Sequence, residues 1–421
     1  MQSNQTAPEA QEGVKMGKNL LVAQSGGPSA AINATLAGVI AAAREEEGIG
    51  RIYGGIHGVE GIQAGRLADL TDFQELEKLK ATPAMALGSC RCKLPPADQR
   101  DAAIYQNLRR VFREYDIGYF LYIGGNDSMD TVCKLAHHFA GEPNAPVFMG
   151  VPKTIDNDLP LTDHTPGYGS AAKYLAITMN EIIQDTAIYA VPAVTIVEIM
   201  GRNAGWLTLA AGLPRFTGGT KPDIIALPEV PFDEEDFLRQ VRDTLRHSPN
   251  VVAAVSEGIR DRNGDYVGSS AKSGAVDTFG HAYLSGVGKY LEGLVKREIG
   301  CKVRSIELNL MQRCSAHLAS LADIEEAFAI GRAGVAAAVR GETGRMVAVE
   351  RLADSPYAVR LRTVAIEEVA NLEQLVPEKW RNLENHKVHR EICDYILPLI
   401  QGEVPQFRNE FGLNDYISFL N

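Results

Sequence analysis

One kind of segment keeps returning along this chain and constrains the fold more than anything else in it. It is a short, uninterrupted apolar run that ends in glycine or charge and is followed by a helix-like stretch. "NLLVAQSGG" leads into "SAAINATLAGVIAAAREEE", a helix expected to begin at or near Ser29, and "IGYFLYIGGNDS" leads into "MDTVCKLAHHFA". "APVFMGVPKTIDND", "AVTIVEIMGRNAG" and "DIIALPEVPF" are followed in the same way by "GSAAKYLAITMNEIIQD", "WLTLAAGL" and "EEDFLRQVRDTLRH", and "VVAAVSEGI" adds a further apolar strand. Strands that are apolar at every position are buried on both faces, as in a parallel sheet covered by helices. The chain is therefore expected to be α/β. In such sheets ligands sit beyond the carboxyl ends of the strands. "SGG", "GGND", "KTIDND", "MGRN" and "PE" all fall at those ends.

The 421 residues exceed one ordinary core and suit two α/β domains flanking a cleft. The formal net charge of −11, with no lysine- or arginine-rich block, speaks against nucleic acid as the partner but leaves room for small phosphorylated ligands. Six cysteines, Cys90, Cys92, Cys133, Cys301, Cys314 and Cys393, lack the spacing of a disulfide framework or a zinc site, and are expected to be reduced thiols. The first 17 residues are polar, without the apolar centre of a signal peptide, and no apolar run reaches the ~18 residues of a membrane helix. A cytoplasmic protein with no membrane partner is expected.

Glycine after a strand lets backbone approach an anion, and a following helix N-terminus favours phosphate. Gly26-Gly27 and Gly124-Gly125 both stand so, although either alone would serve equally as a tight turn. In "KTIDND", Asp156 and Asp158 would point to one side of an extended backbone, a pairing that suits a metal ion plus a base for a hydroxyl proton. A solvated turn is the other reading. Arg202, in the glycine-flanked "MGRNAG", can grip a phosphate or a sugar, or can simply pair within the fold. Glu229 in "LPEV" can accept a sugar hydroxyl or lie on the surface. Arg304, Arg313, Arg91 and the nearby Lys93 complete a dispersed set of cations and acids, which is what phosphoryl transfer requires.

In this order, "AQSGGPSAAIN", "LGSCR", "YIGGNDS", "PKTIDNDLP", "VEIMGRNAG", "LPEV" and "VRSIELNLMQR" resemble the phosphofructokinase superfamily over roughly residues 18–350. The resemblance implies two Rossmann-like, doubly wound domains with mostly parallel sheets and the active site in the cleft between them. Residues 18–165 plus 312–350 would form the phosphoryl-donor domain and 166–311 the sugar-phosphate domain. Residues 351–421 would be a C-terminal extension packing on the core, and 1–17 a flexible tail. The implied reaction moves a phosphoryl group, with Mg²⁺, to the 1-hydroxyl of fructose 6-phosphate. Asp156 would be the general base, assisted by Lys153, Asp127 and Arg202. Thr154, Ile155, Asp156, Met200, Gly201, Arg202 and Glu229 would hold the sugar, and Arg304 and Arg313 its 6-phosphate. Gly26, Arg91, Gly125 and Lys153 would hold the donor. A homodimer or homotetramer is implied.

Two positions bear on the donor. Family members that use ATP typically carry "GGDGS" and "PGTIDND", whereas pyrophosphate-dependent members share this chain's acid at Asp127 and lysine at Lys153. A carboxylate where glycine would admit a nucleotide's α-phosphate adds bulk and repulsion, and the lysine adds a cation beside the transferring group. Pyrophosphate is therefore the expected donor and the reaction is expected to be reversible. An ATP-dependent enzyme and a non-catalytic regulatory relative are the alternatives. The usual metal-binding aspartate is Asn126 here, and the sequence leaves open whether Asn126 or Asp127 meets the Mg²⁺. Leu310 and Ala193 replace a histidine and an arginine of the family's sugar-phosphate pocket. A longer acceptor such as sedoheptulose 7-phosphate is not excluded. The first helix, "INATLAGVIAAA", lacks the cations of an allosteric nucleotide site.

Overall fold

The computed structural model describes residues 17–268 and 286–420, so residues 1–16 of the expected tail lie outside the described residues. The strands are β1 (Lys18–Gln24), β2 (Ile49–Gly55), β3 (Leu67–Asp69), β4 (Ile117–Gly124), β5 (Val147–Pro152), β6 (Ala193–Ile199), β7 (Ile224–Ala226), β8 (Asn250–Ser256), β9 (Lys302–Glu307), β10 (Arg345–Asp354) and β11 (Tyr357–Ala365). They form a seven-stranded sheet in the order β11-β10-β5-β4-β1-β2-β3 and a four-stranded sheet in the order β7-β8-β6-β9. Pairing is parallel throughout, except that β3 runs antiparallel to β2 and β11 to β10. The α/β class and the mostly parallel sheets are as expected.

Burial explains the strand composition. Leu20 to Ala23 of β1 are wholly inaccessible, and every residue of β8 is buried. The helix Ile32–Glu45 starts three residues later than expected, because Ser29 first makes an isolated bridge with Ala84. It packs on the helix Leu321–Val339 at a separation only glycine allows. A Cβ on Gly38 would stand 2.0 Å from the Phe328 carbonyl oxygen, and one on Gly331 would stand 2.2 Å from that of Thr35.

Both sheets open at a topological switch point. In the larger sheet the order reverses between β1 and β4, where the Gly26-Gly27 and Gly124-Gly125 turns leave the sheet. In the smaller it reverses at β6, between β8 and β9. Parallel registry sets Gln24 beside Ile123 and Gly124 beside Pro152, so the polar residues that follow those strands are neighbours. The C-terminal segment is built into the structure. Its β11 forms an edge of the larger sheet, and Val376, Trp380, Ile392 and Tyr395 join a core with Tyr168 and Trp206.

Candidate active site

A cleft of about 580 Å³ is lined from both sheets' carboxyl ends. After β1 and β4 come Gly26, Gly27, Gly125, Asn126 and Asp127, and after β5 come Lys153, Thr154, Ile155, Asp156 and Asp158. After β6 come Met200, Arg202 and Asn203, with Glu257 after β8. Arg91, Lys93 and Arg313 complete the charged wall. A more open hollow of about 980 Å³, beside Arg215 and Arg390, contains none of the expected site residues.

The glycine turns are tightly constrained. Gly26 has φ of +80°, and a Cβ there would come within 3.8 Å of Lys153 Nζ. Lys153 is buried, and its Nζ donates to the Gly27 carbonyl at 2.5 Å, bridging from β5 to the turn after β1. Burial lowers its pKa to about 8, against the pull of Asp156 and Asp158. The Arg313 guanidinium lies over Gly27, 3.2 Å from where a Cβ would be. Ser25 and Ser128 hydroxyls meet at 2.5 Å and tie the two turns together. Asp127 lies in the first turn of the helix Asn126–His138, with Lys93 Nζ at 3.8 Å from its carboxylate.

The "KTIDND" loop is not the extended segment its spacing allowed. Asn157 takes φ of +56° and is buried, its Nδ2 donating to the Tyr395 hydroxyl and its Oδ1 accepting from Thr165 N–H. Even so, Asp156 and Asp158 both face the cleft. Thr154 Oγ1 accepts from Asp156 N–H at 3.1 Å, while Ile155 packs into the core. Burial pushes the Asp156 carboxyl up, against Lys153, Arg202 and Arg313, and burial followed by Asp156 and Glu373 pushes Asp158 up. Asp158 Oδ1 is buried without a hydrogen-bond partner. Hard, unpartnered carboxylate oxygen is what Mg²⁺ takes, and that ion needs only one or two protein carboxylates beside phosphate and water. Among the described residues no three His, Cys, Asp or Glu side chains form a self-sufficient metal cage. The residues present therefore fit a substrate-assisted Mg²⁺ site.

The β6 turn is equally specific. Gly201 has φ of +127°, and its carbonyl accepts from Ser256 Oγ at 2.5 Å. Its N–H donates to Glu257 Oε1, and Met200 N–H to Gln312 Oε1, which sets Arg202 in the cleft with Nε buried and unpartnered.

Glu229 and Arg304, both expected at the sugar, stand outside the cleft lining. Glu229 Oε1 accepts from the N–H groups of Gly205 and Val376, both at 2.9 Å, so this carboxylate ties together backbone segments. Arg304 is exposed on β9, the edge strand of the smaller sheet. Conversely, Glu257 was missed, although "AVSEG" ends a buried strand in the same way as the stretches that were chosen. Burial and Asp156 raise its pKa to about 7. Asn371, Leu372 and Glu373 also line the cleft, and no strand-end pattern marks them.

The family model for phosphofructokinase matches residues 19–335. A pyrophosphate--fructose 6-phosphate 1-phosphotransferase of Xanthomonas campestris pv. campestris is 41% identical over 408 residues, 96% of each chain. One from Methylococcus capsulatus is 39% identical over 412 residues, again 96% of each. The crystal structure of a pyrophosphate-dependent phosphofructokinase from Nitrosospira multiformis superposes with a TM-score of 0.83 at 35% identity, covering 95% of this chain and 96% of that one.

Proposed function

The chain belongs to the phosphofructokinase family, and on that premise we propose that it reversibly transfers a phosphoryl group from pyrophosphate to the 1-hydroxyl of fructose 6-phosphate. The products are fructose 1,6-bisphosphate and phosphate. The observation that carries this reading is Lys153, buried between the glycine turns and Asp156, with Asp127 at the neighbouring helix start. Such a site is charged for a compact, multiply anionic donor, and it sets a carboxylate where a nucleotide would need space.

In the forward direction Asp156 accepts the proton of the sugar 1-hydroxyl as that oxygen bonds to the transferred phosphorus. The bond from phosphorus to the bridging oxygen breaks, and its electron pair leaves with inorganic phosphate. Lys153, Arg91 and Arg202 offset the charge on the phosphoryl oxygens, and Gly26 and Gly125 present backbone to the donor. Thr154, Met200 and Gly201 orient the sugar, and Arg313 takes its 6-phosphate. Asp158, with Asp127, would hold Mg²⁺, which when bound neutralises charge on the pyrophosphate. The anhydride broken and the phosphate ester formed are close enough in energy to leave both directions of sugar metabolism open. We place the protein in the cytoplasm, acting as a homodimer or homotetramer, with an exposed edge strand β9 available for contact between copies.

The test is the initial rate with fructose 6-phosphate and Mg²⁺, comparing pyrophosphate and ATP at matched concentrations. We expect turnover with pyrophosphate and little with ATP. Preference for ATP would overturn the donor assignment while leaving Asp156 as base.

A further inference from the structure

Residues 371–376 run from the end of the larger sheet's edge to the core of the smaller half, and side chains of the cleft hold them at several points. Asn126 makes two of these bonds: its Nδ2 donates to the Leu372 carbonyl and its Oδ1 accepts from Asn371 N–H, each at 2.5 Å. Asn371, at φ of +62°, donates from Nδ2 to Asp130 at 3.0 Å. Farther along, Glu373 accepts from Asn203 Nδ2 at 2.8 Å, and Gln374 N–H donates to the Asp158 carbonyl at 2.7 Å. The Gln374 carbonyl accepts from Trp206 Nε1 at 2.9 Å.

Resting on the phosphoryl-transfer reading, we propose that Asn126 is a positioning residue that latches this strap across the cleft, and not a metal ligand. The chemistry of the carboxamide decides it. One end of the side chain must donate and the other accept, and both are engaged by strap backbone. A carboxylate keeps the bond from Asn371 N–H but turns its second oxygen against the Leu372 carbonyl, acceptor against acceptor. The family's usual aspartate at this position is therefore incompatible with the strap. Through Gln374 the strap bears on the backbone of Asp158, and through Glu373 it bears on the turn that carries Arg202. Its release would loosen the reaction loop and the Arg202 turn together.

The test is Asn126→Asp in the full-length protein. An acid in the first turn favours the helix Asn126–His138, so loss of fold is not the expected outcome. If Asn126 latches the strap, kcat falls about tenfold or more at saturating Mg²⁺, and the half-saturating Mg²⁺ concentration does not fall. The two tryptophans of the chain, Trp206 and Trp380, sit beside the strap with ring centroids 6.0 Å apart. Their emission should therefore shift to the red, and proteolysis within 371–376 should accelerate. If Asn126 is instead a metal ligand, the carboxylate lowers the half-saturating Mg²⁺ concentration with kcat retained, and this result overturns the proposal. Unchanged emission and cleavage would overturn it as well. Asn371→Gly keeps the positive φ but removes the bond to Asp130, and should give a weaker change of the same kind. Wild-type protein inactive with pyrophosphate would count against the proposed function alone, because emission and cleavage report the latch without turnover.

Discussion

At the scale of single residues, Asp156 and Lys153 answer to different measurements. Asp156→Asn removes the proton acceptor and keeps the shape, so kcat should fall by roughly 10²–10⁴, the usual range for a general base, with sugar affinity little changed. Retention of full activity would end the assignment. Lys153 is charged below its pKa of about 8 and neutral above it. The KM for pyrophosphate should therefore rise as pH passes about 8, and in Lys153→Met it should be high and flat across the same range. Asp127→Gly removes the carboxylate at the helix start and should shift the ratio of kcat/KM for the two donors towards ATP. These residues were legible because each follows a buried apolar strand, where chemistry collects in parallel sheets. Asn126 was legible only as a departure. Its partners lie about 245 positions away, and no local pattern announces a bond between a helix start and a distant loop.

At the scale of elements, the loop after β5 is braced by a histidine that no motif or spacing singles out. His164 is buried, with Nδ1 at 2.8 Å from Asp163 and Nε2 at 2.7 Å from Glu326 on the helix Leu321–Val339. Burial opposes its charge, but the hydrogen bonds and charges of these two acids outweigh it and raise the pKa to about 9. A group with a raised folded pKa stabilises fully below its unfolded value, about 6.5, and that stabilisation is lost as pH rises through the folded value. Urea unfolding should show stability falling between about pH 6.5 and pH 9 by on the order of 2–3 kcal/mol, with His164→Gln flattening the slope. A slope unchanged in that variant would assign the pH dependence elsewhere. The strands themselves were readable from unbroken apolar runs. The turn at Asn157 was not, because spacing alone cannot tell an extended loop from one bent by a left-handed residue whose amide is held by Tyr395.

At the scale of the molecule, Arg304 raises the question of assembly. It is exposed on edge strand β9 and absent from its own cleft lining, so if it grips a 6-phosphate, that phosphate lies in another copy's cleft. Arg304→Ser and Asp156→Asn would then each be nearly inactive alone. Mixed and allowed to exchange subunits, they should recover a fraction of wild-type turnover, because one type of hybrid cleft holds both native residues. No recovery, in a mixture shown to contain hybrids, would exclude a shared site. Two domains were expected from length and from the family resemblance. The reach of the C-terminal segment into the cleft was not, since its residues act largely through backbone groups that any sequence possesses.

The larger sheet also dictates an order of events at the ribosome. Its strand β5 ends at Pro152, but β10, the neighbour that covers that edge, begins only at Arg345. The four-stranded sheet, complete at Glu307, has all its partners earlier. During synthesis a buried-type strand therefore waits with one edge unpaired while the whole of the smaller sheet emerges. Exposed strand edges recruit other chains. Nascent chains that stop short of Arg345 are accordingly expected to aggregate more readily than chains that reach Ala365, which close that edge for themselves.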